Sequence, residues 1–264
     1  MRAVSLHRDV IVVTSRVWQT NCTLVRGAGG EPGAEAFVID SPVYPDELEV
    51  LPAVMEQAGF APIGLLSTHA DWDHLLGRLA LPQSALGCAE TTAARLAAEP
   101  GRAQRALRDF DDGHYVTRSR PLTLGSVQAL PVPGRCGLGA AELELHPAGG
   151  HTADGMAVNV PWAGVLVVGD YLSTVEIPLL GRDGSVGEYR ATLERLRALL
   201  TAAEHVVPGH GPVLSGAQAL DVLEVDADYL QRLVTQGASA VLPEGRRSVE
   251  QRRLHAANVA LVER

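Results

Sequence analysis

Lysine is absent from this chain, and all 22 of its basic residues are arginine. Schiff-base chemistry on a lysine amine and the lysine of a phosphate-binding P-loop are therefore excluded. Cysteine is scarce. Cys22, Cys88 and Cys136 are odd in number, widely spaced and form no Cys-x-x-Cys pair. That leaves no disulfide framework and reads as small buried apolar residues in a reducing compartment. Only Cys136, in the glycine- and proline-rich stretch Pro133-Gly134-Arg135-Cys136-Gly137, is placed for reactivity. No apolar run reaches membrane-spanning length, and the N-terminus lacks the apolar segment of a signal peptide, so a cytoplasmic protein is expected. Positive charge is also short, with 31 acids against 22 bases and a net charge of −9. That argues against nucleic acid as a partner, since it is bound through basic surface.

What is present is a chain of 264 residues with 46% hydrophobic content, enough for one large domain or two small ones. Strand-like runs occupy 10–13, 22–25, 36–40 and 63–67. Residues 45–58 read as a helix, because Leu48, Leu51, Val54, Met55 and Ala58 fall at three- and four-residue steps. Residues 90–110 are rich in alanine and arginine and helical, interrupted near Pro100-Gly101, as packing or as a lid. A second β-rich half follows at 122–130, 141–146, 156–160 and 165–168, with Pro161-Trp162-Ala163-Gly164 turning between the last two. Helix 185–200 opens with Ser185-x-x-Glu188, the form of a capping box, and buries Leu193, Leu196, Leu199 and Leu200. A strand at 205–207 runs into Pro208-Gly209-His210-Gly211. Helices at 216–235 and 248–263 close the chain, the second starting Ser248-x-x-Gln251. No internal repeat or low-complexity linker divides it. The expectation is an α/β protein of two packed sheets with helices outside, residues 1–215 forming one domain and 216–264 a helical extension packed on it.

Residues 68–77 read Thr-His-Ala-Asp-Trp-Asp-His-Leu-Leu-Gly, placing His69, Asp71, Asp73 and His74 within six positions. Such density of imidazole and carboxylate suits a metal ion, and the end of a buried strand presents ligands with little slack. Three further residues of ligand type follow in series, each just past a strand and beside glycine: His151, Asp170 and His210. Glycine there lets backbone approach a crowded centre. Thr68 and Thr152, next to two of the histidines, are expected to hydrogen-bond them. Trp72 walls a pocket or anchors the turn. His7, His114, His146, His205 and His255 stand outside the series. His146 and His205 read as structural, and His114 as surface or as part of an entrance.

This order resembles the metallo-β-lactamase superfamily, whose signature is His-x-His-x-Asp-His, then a Gly-His, a bridging acid and a late Gly-His. The resemblance covers roughly residues 10–215. It implies an αββα sandwich of two mixed β-sheets with metals at one sheet edge, and two divalent metal ions, zinc first. By the family pattern His69, position 71 and His151 hold the first ion, Asp73, His74 and His210 the second, and Asp170 bridges them. The chain departs at Asp71, where the pattern has histidine. An anionic oxygen there reduces the Lewis acidity left for bound water and moves preference towards harder ions such as Mn or Fe. So short a side chain must also reach the metal at all. The resemblance gives Asp73 a second role in orienting or deprotonating the attacking water. Tyr171 either sets a phenol near a developing oxyanion or covers the sheet edge.

The leading expectation is a metal-dependent hydrolase of a small ester, thioester, lactone or amide, working by a metal-activated hydroxide, as in glyoxalase-II-like thioesterases and acyl-lactone hydrolases. A true β-lactamase is the weaker expectation, given no export signal and no lysine to hold the drug carboxylate. Flavodiiron proteins share the fold and carry a carboxylate at the second signature position, so a di-iron oxidoreductase is the second reading, although residues 216–264 are too short for a flavin domain. A weakly active or non-catalytic relative is the third. The expected partners are a small-molecule substrate, neither nucleic acid nor membrane, and a second copy of the chain through the terminal helices. Specificity is expected from loops at 90–120, 131–140 and 171–185, with Arg118, Arg120, Arg135 and Arg182 available to an anionic group.

Overall fold

The computed structural model describes residues 1–181 and 183–263, so Arg182 lies outside the described residues. Seven strands form the first sheet in chain order: β1 (Arg2–His7), β2 (Val10–Thr14), β3 (Asn21–Arg26), β4 (Ala34–Ile39), β5 (Phe60–Ser67), β6 (Ala85–Ala89) and β7 (Val127–Leu130). The first four pair antiparallel and β4 to β7 pair parallel. The second sheet contains β8 (Gly134–Leu138), β9 (Ala141–Pro147), β10 (Met156–Val160), β11 (Val165–Gly169) and β12 (His205–Pro208), in the order β12-β11-β10-β9-β8. Only its β11–β12 pair is parallel. Helices α1 (Pro45–Gln57), α2 (Gly77–Ala80), α3 (Glu90–Ala98) and α4 (Arg102–His114) belong to the first half. Helices α5 (Val186–Leu200), α6 (Gly216–Gln236) and α7 (Val249–Val262) belong to the second. None is long and apolar enough to cross a membrane among the described residues.

Strand alternation builds the layers. Side chains two apart point to one face, so Val10, Val12, Val25, Ile39 and Leu66 face β10 and β11 through Val158, Val165 and Val167 in the central layer. Their neighbours Val13, Leu24, Val38 and Leu65 face outward, against Leu51 and Met55 of α1 and Leu107 of α4. On the far side Leu166, Val168 and Val206 pack with Leu193 and Leu196 of α5 and Leu223 and Leu230 of α6. Three apolar layers between four structural ones make the expected αββα sandwich of two mixed sheets.

Three strands fall outside the sequence expectation. β1 is a largely exposed edge strand, and β6 is Ala-Leu-Gly-Cys-Ala, a composition with little strand preference that β5 and β7 impose from both sides. β8 occupies the glycine-rich stretch around Cys136, paired with β9 at the edge of its sheet and anchored in the central layer by Leu138. The strand expected over 122–130 shortens to Val127–Leu130, because Leu122 turns into the outer core instead.

The C-terminal helices are stitched to the loop after β11. Ser248 caps α7 by accepting from the Gln251 amide N–H, but the Gln251 side chain accepts from Ile177 N–H at 2.7 Å instead of closing a box. Asn258 accepts from Leu180 N–H at 2.8 Å and donates to Pro178 C=O at 2.7 Å. Arg246, between α6 and α7 and 4% exposed, donates to the carbonyls of Ser173 and Glu176 and pairs with Asp226, itself 1% exposed. Removing one member of such a buried pair leaves the other charge uncompensated. Arg246→Met is therefore expected to lower folding stability by about 3–5 kcal/mol, read as a shift in the denaturant midpoint at unchanged slope.

Candidate metal centre

All seven residues of the series meet at one end of the two sheets. His69 follows β5, His151 follows β9, Asp170 directly follows β11 and His210 follows β12, while Asp73 and His74 sit in a single 3-10 turn. Backbone bonds fix that edge: Asn21 N–H donates to Gly209 C=O at 2.8 Å, and the Asn21 amide donates to the carbonyls of Pro208 and Gly211. Ser67 Oγ donates to His69 C=O, and Ser41 Oγ to Asp73 C=O. Gly209 is required here, since a Cβ at that position would stand 2.1 Å from Asp170 Oδ1 and 3.0 Å from His74 Cε1.

Each imidazole is turned by its outward nitrogen. His69 Nδ1 lies 3.0 Å from Thr68 Oγ1, which in turn donates to Asp40. His74 Nδ1 lies 3.0 Å from Asp40 Oδ2. His151 Nδ1 donates to Leu179 C=O at 2.9 Å, and His210 Nδ1 lies 3.2 Å from Thr20 Oγ1, whose own proton goes to Val17 C=O. With an oxygen beside Nδ1 in all four, Nε2 faces the centre in all four. There Asp170 divides them. Its Oδ2 lies 3.6 Å from His69 Nε2 and 3.4 Å from His151 Nε2, and its Oδ1 lies 3.1 Å from His74 Nε2 and 3.4 Å from His210 Nε2.

The donor atoms fit metal ions. His69, Asp71 and His151 bring one ligand atom each within 4.8 Å of one another, and so do Asp73, His74 and His210. Among the described residues His69 Nε2, both ring nitrogens of His74 and Asp170 Oδ1 are buried without a hydrogen-bond partner, an arrangement that costs free energy unless something binds there. Asp71 does reach the cluster: its Oδ2 stands 3.7 Å from His69 Nε2 and 3.4 Å from His151 Nε2. Burial would push the imidazoles down, yet the hydrogen bond that His151 donates to Asp71 and the charge of Asp170 hold His151 up at about 9. Asp170 and Glu176 likewise hold His210 up at about 10 against burial. His69, buried beside His74, is pushed down. Burial opposes ionisation of Asp170, but His210, His74 and His69 hold its carboxyl well below the usual range.

Four partners of this centre carry no local signal in the sequence. Asp40, just past β4 and expected only as a strand residue, pairs with His74 and accepts from the Thr68 amide and hydroxyl. Arg95, one arginine among several in the 90–110 region, donates to Asp71 Oδ1 at 2.7 Å and to Asp154 Oδ1 at 2.6 Å. Asp154 accepts as well from Ala70 N–H and from Thr152 Oγ1. Thr152 thus acts through Asp154 and not on its neighbour His151. Glu176 shares a small cavity with His151 and Asp170, and burial pushes its carboxyl up.

Tyr171 corrects the expectation of a phenol near an oxyanion. Its hydroxyl donates to Gly149 C=O at 2.7 Å and accepts from His151 N–H at 3.0 Å, with the side chain 2% exposed. It covers the sheet edge and sets the backbone of His151. Trp72 packs against Phe110 and Trp18 at one side of the centre. His114 is exposed and lies against Phe110. Arg118 is committed to Asp111 and Val43 C=O, and Arg135 pairs with Glu142. The Cys136 thiol is pushed up by burial, which disfavours the reactive thiolate.

The profile of the metallo-beta-lactamase superfamily matches residues 15–210. The chain belongs to that superfamily. No curated protein matches it. Among solved structures, this superfamily member resembles the metallo-beta-lactamase family protein TTHA1429 from Thermus thermophilus at 20% identity and a TM-score of 0.70, over 97% of this chain and 92% of that one. A metallo-beta-lactamase from Pontibacter korlensis matches at 20% identity and a TM-score of 0.61, over 84% and 98%. The BLEG-1 B3 metallo-beta-lactamase matches at 21% identity and a TM-score of 0.59, over 80% and 95%. These likenesses establish the fold of the superfamily member, whose position 71 carries aspartate with an arginine clamped on it.

Partners that orient ligand histidines typically change metal affinity by roughly 10–100-fold when removed. Asp40→Asn keeps a residue suited to the positive φ of 58° at this position but withdraws the charge beside His74. Zinc affinity measured calorimetrically is expected to fall by at least about tenfold with the circular dichroism spectrum unchanged.

Proposed function

We propose that this protein is a metal-dependent hydrolase of a small ester, thioester, lactone or amide. The observation that carries the reading is Asp170, whose two oxygens face two separate histidine pairs, the disposition of a carboxylate shared between two ions. His69, Asp71 and His151 would hold one ion, Asp73, His74 and His210 the other, and Asp170 both. Zinc is the first expectation, and Asp71 admits Mn or Fe. Divalent ions so held would supply Lewis acidity, acidifying water and polarising a carbonyl oxygen.

The chain's own groups account for the rest. Asp73 Oδ2, 3.4 Å from His210 Nε2 and 3.6 Å from His74 Nε2, is placed to orient the nucleophilic water or take its proton. Arg95 engages one oxygen of Asp71 and leaves the other facing His69 and His151. It also offsets part of the negative charge that aspartate adds, so Lewis acidity at this site falls less than the exchange alone implies. Tyr171, Thr20, Thr68 and Asp40 hold the imidazoles in register. A small-molecule substrate and a cytoplasmic setting belong to the same proposal.

Elemental analysis of protein purified without chelator tests the reading, with Asp71→His alongside. About two zinc or manganese ions per chain are expected in both, with turnover of at least one lactone or thioester that chelation abolishes and metal restores. Iron with a visible absorbance that bleaches on reduction would replace hydrolysis with redox chemistry, which Asp71 as a hard ligand also suits. Metal-loaded protein inert across ester, thioester, lactone and phosphodiester panels would leave a binding module.

A further inference from the structure

Directly beside Asp71 the surface opens into a cleft of about 750 Å³, within the size range of small-molecule sites. One wall is the metal-binding turn itself, Ala70 to Trp72. The opposite wall comes from the bend between α3 and α4 and from the chain entering β7. Leu96, Ala103, Ala106, Leu122, Leu124 and Val127 contribute apolar side chains. Both arginines of the lining are committed, Arg95 to Asp71 and Asp154 and Arg102 to Glu99. The cleft is therefore poor in charge available to an anion and rich in surface for an uncharged, apolar ligand. On the other side of the centre, the cavities that His151 and Asp170 line hold only about 10 Å³ each, too little for a side chain of a substrate.

We propose that this cleft binds the apolar acyl chain of the substrate, with the reacting carbonyl at its Asp71 end. The proposal rests on the hydrolase reading for its chemistry and on the cleft alone for its binding. Asp71 and Arg95 lie at the end next to the centre, Glu99, Arg102 and Gln104 line the α3–α4 bend, and most of the remaining lining is apolar. A ligand with one polar head and a long uncharged tail matches that division. Burying one methylene stabilises binding by an amount equal to roughly a fourfold gain in affinity, so chain length is the variable the cleft reads. Charged amino-acid or phosphate tails find no uncommitted arginine in the lining.

Two measurements on the whole protein test it. Fluorescence of N-phenyl-1-naphthylamine reports binding to the cleft, with methyl decanoate as competitor. Hydrolysis of p-nitrophenyl esters from acetate to decanoate reports its use in turnover. Ala97, exposed on α3, and Thr123, exposed on the chain entering β7, both line the cleft without belonging to the core. Ala97→Trp and Thr123→Trp are each expected to weaken dye binding at least tenfold. They are expected to lower kcat/KM for the decanoate ester at least tenfold and leave the acetate ester within twofold. Equal dye affinity in wild type and both variants, or equal loss for acetate and decanoate, overturns the proposal. Dye displaced by methyl decanoate from metal-loaded protein that is inert across the ester, thioester, lactone and amide panels supports the cleft and removes the hydrolase reading. Hydrolysis indifferent to chain length, with no dye bound, removes the cleft and leaves that reading standing.

Discussion

Four imidazoles share one orientation rule, and the rest of the molecule is arranged around it. Each presents Nε2 inward because Nδ1 already has an oxygen to face: Thr68, Asp40, Leu179 C=O or Thr20. Those oxygens come from different strands and loops of both sheets, so the ring planes are set only when the sandwich is closed. The unpartnered nitrogens and the lone Asp170 oxygen at the centre are the cost of that arrangement. A protein interior tolerates such atoms where binding later satisfies them.

Charge explains how the unusual Asp71 is accommodated. Carboxylates from Asp71, Asp73, Asp170 and Asp154 crowd one sheet edge, and imidazoles alone would balance them poorly. Arg95 reaches in from α3 and joins two of them. Arginine suits this role, since its planar fork serves two carboxylates at once and keeps its charge when partly buried. The same contact ties α3 to the metal-binding turn and thereby shapes the adjoining cleft. Position 71 and helix α3 are in this way one structural decision.

The sandwich was legible in the sequence wherever period and burial agreed. The alternation Val10, Val12 against Val13, and the pair Leu65 and Leu66 split between two cores, encode a strand with both faces covered. β6 and β8 were not legible, because Ala-Leu-Gly-Cys-Ala and Gly-Arg-Cys-Gly-Leu become strands only through their neighbours. The seven residues of the series were visible as His and Asp beside glycine at strand ends. Arg95 and Asp40 were not, since each acts across a contact of long sequence separation, Arg95 to Asp154 and Asp40 to His74. For Tyr171 the sequence leaves two roles open, a phenol at the reacting atoms or a cover of the sheet edge, and its hydrogen bond to Gly149 C=O goes with the second.

The loop from Ser173 to Leu180 borders the centre, yet Arg246, Gln251 and Asn258 satisfy the carbonyls of Ser173, Glu176 and Pro178 and the amides of Ile177 and Leu180. The smallest portable form of this site is consequently larger than the stretch that the superfamily profile spans. A graft or minimal design that keeps only the sandwich would present Ile177 and Leu180 with unanswered N–H groups beside the centre. It would have to supply a replacement brace of its own before the chemistry could be transplanted.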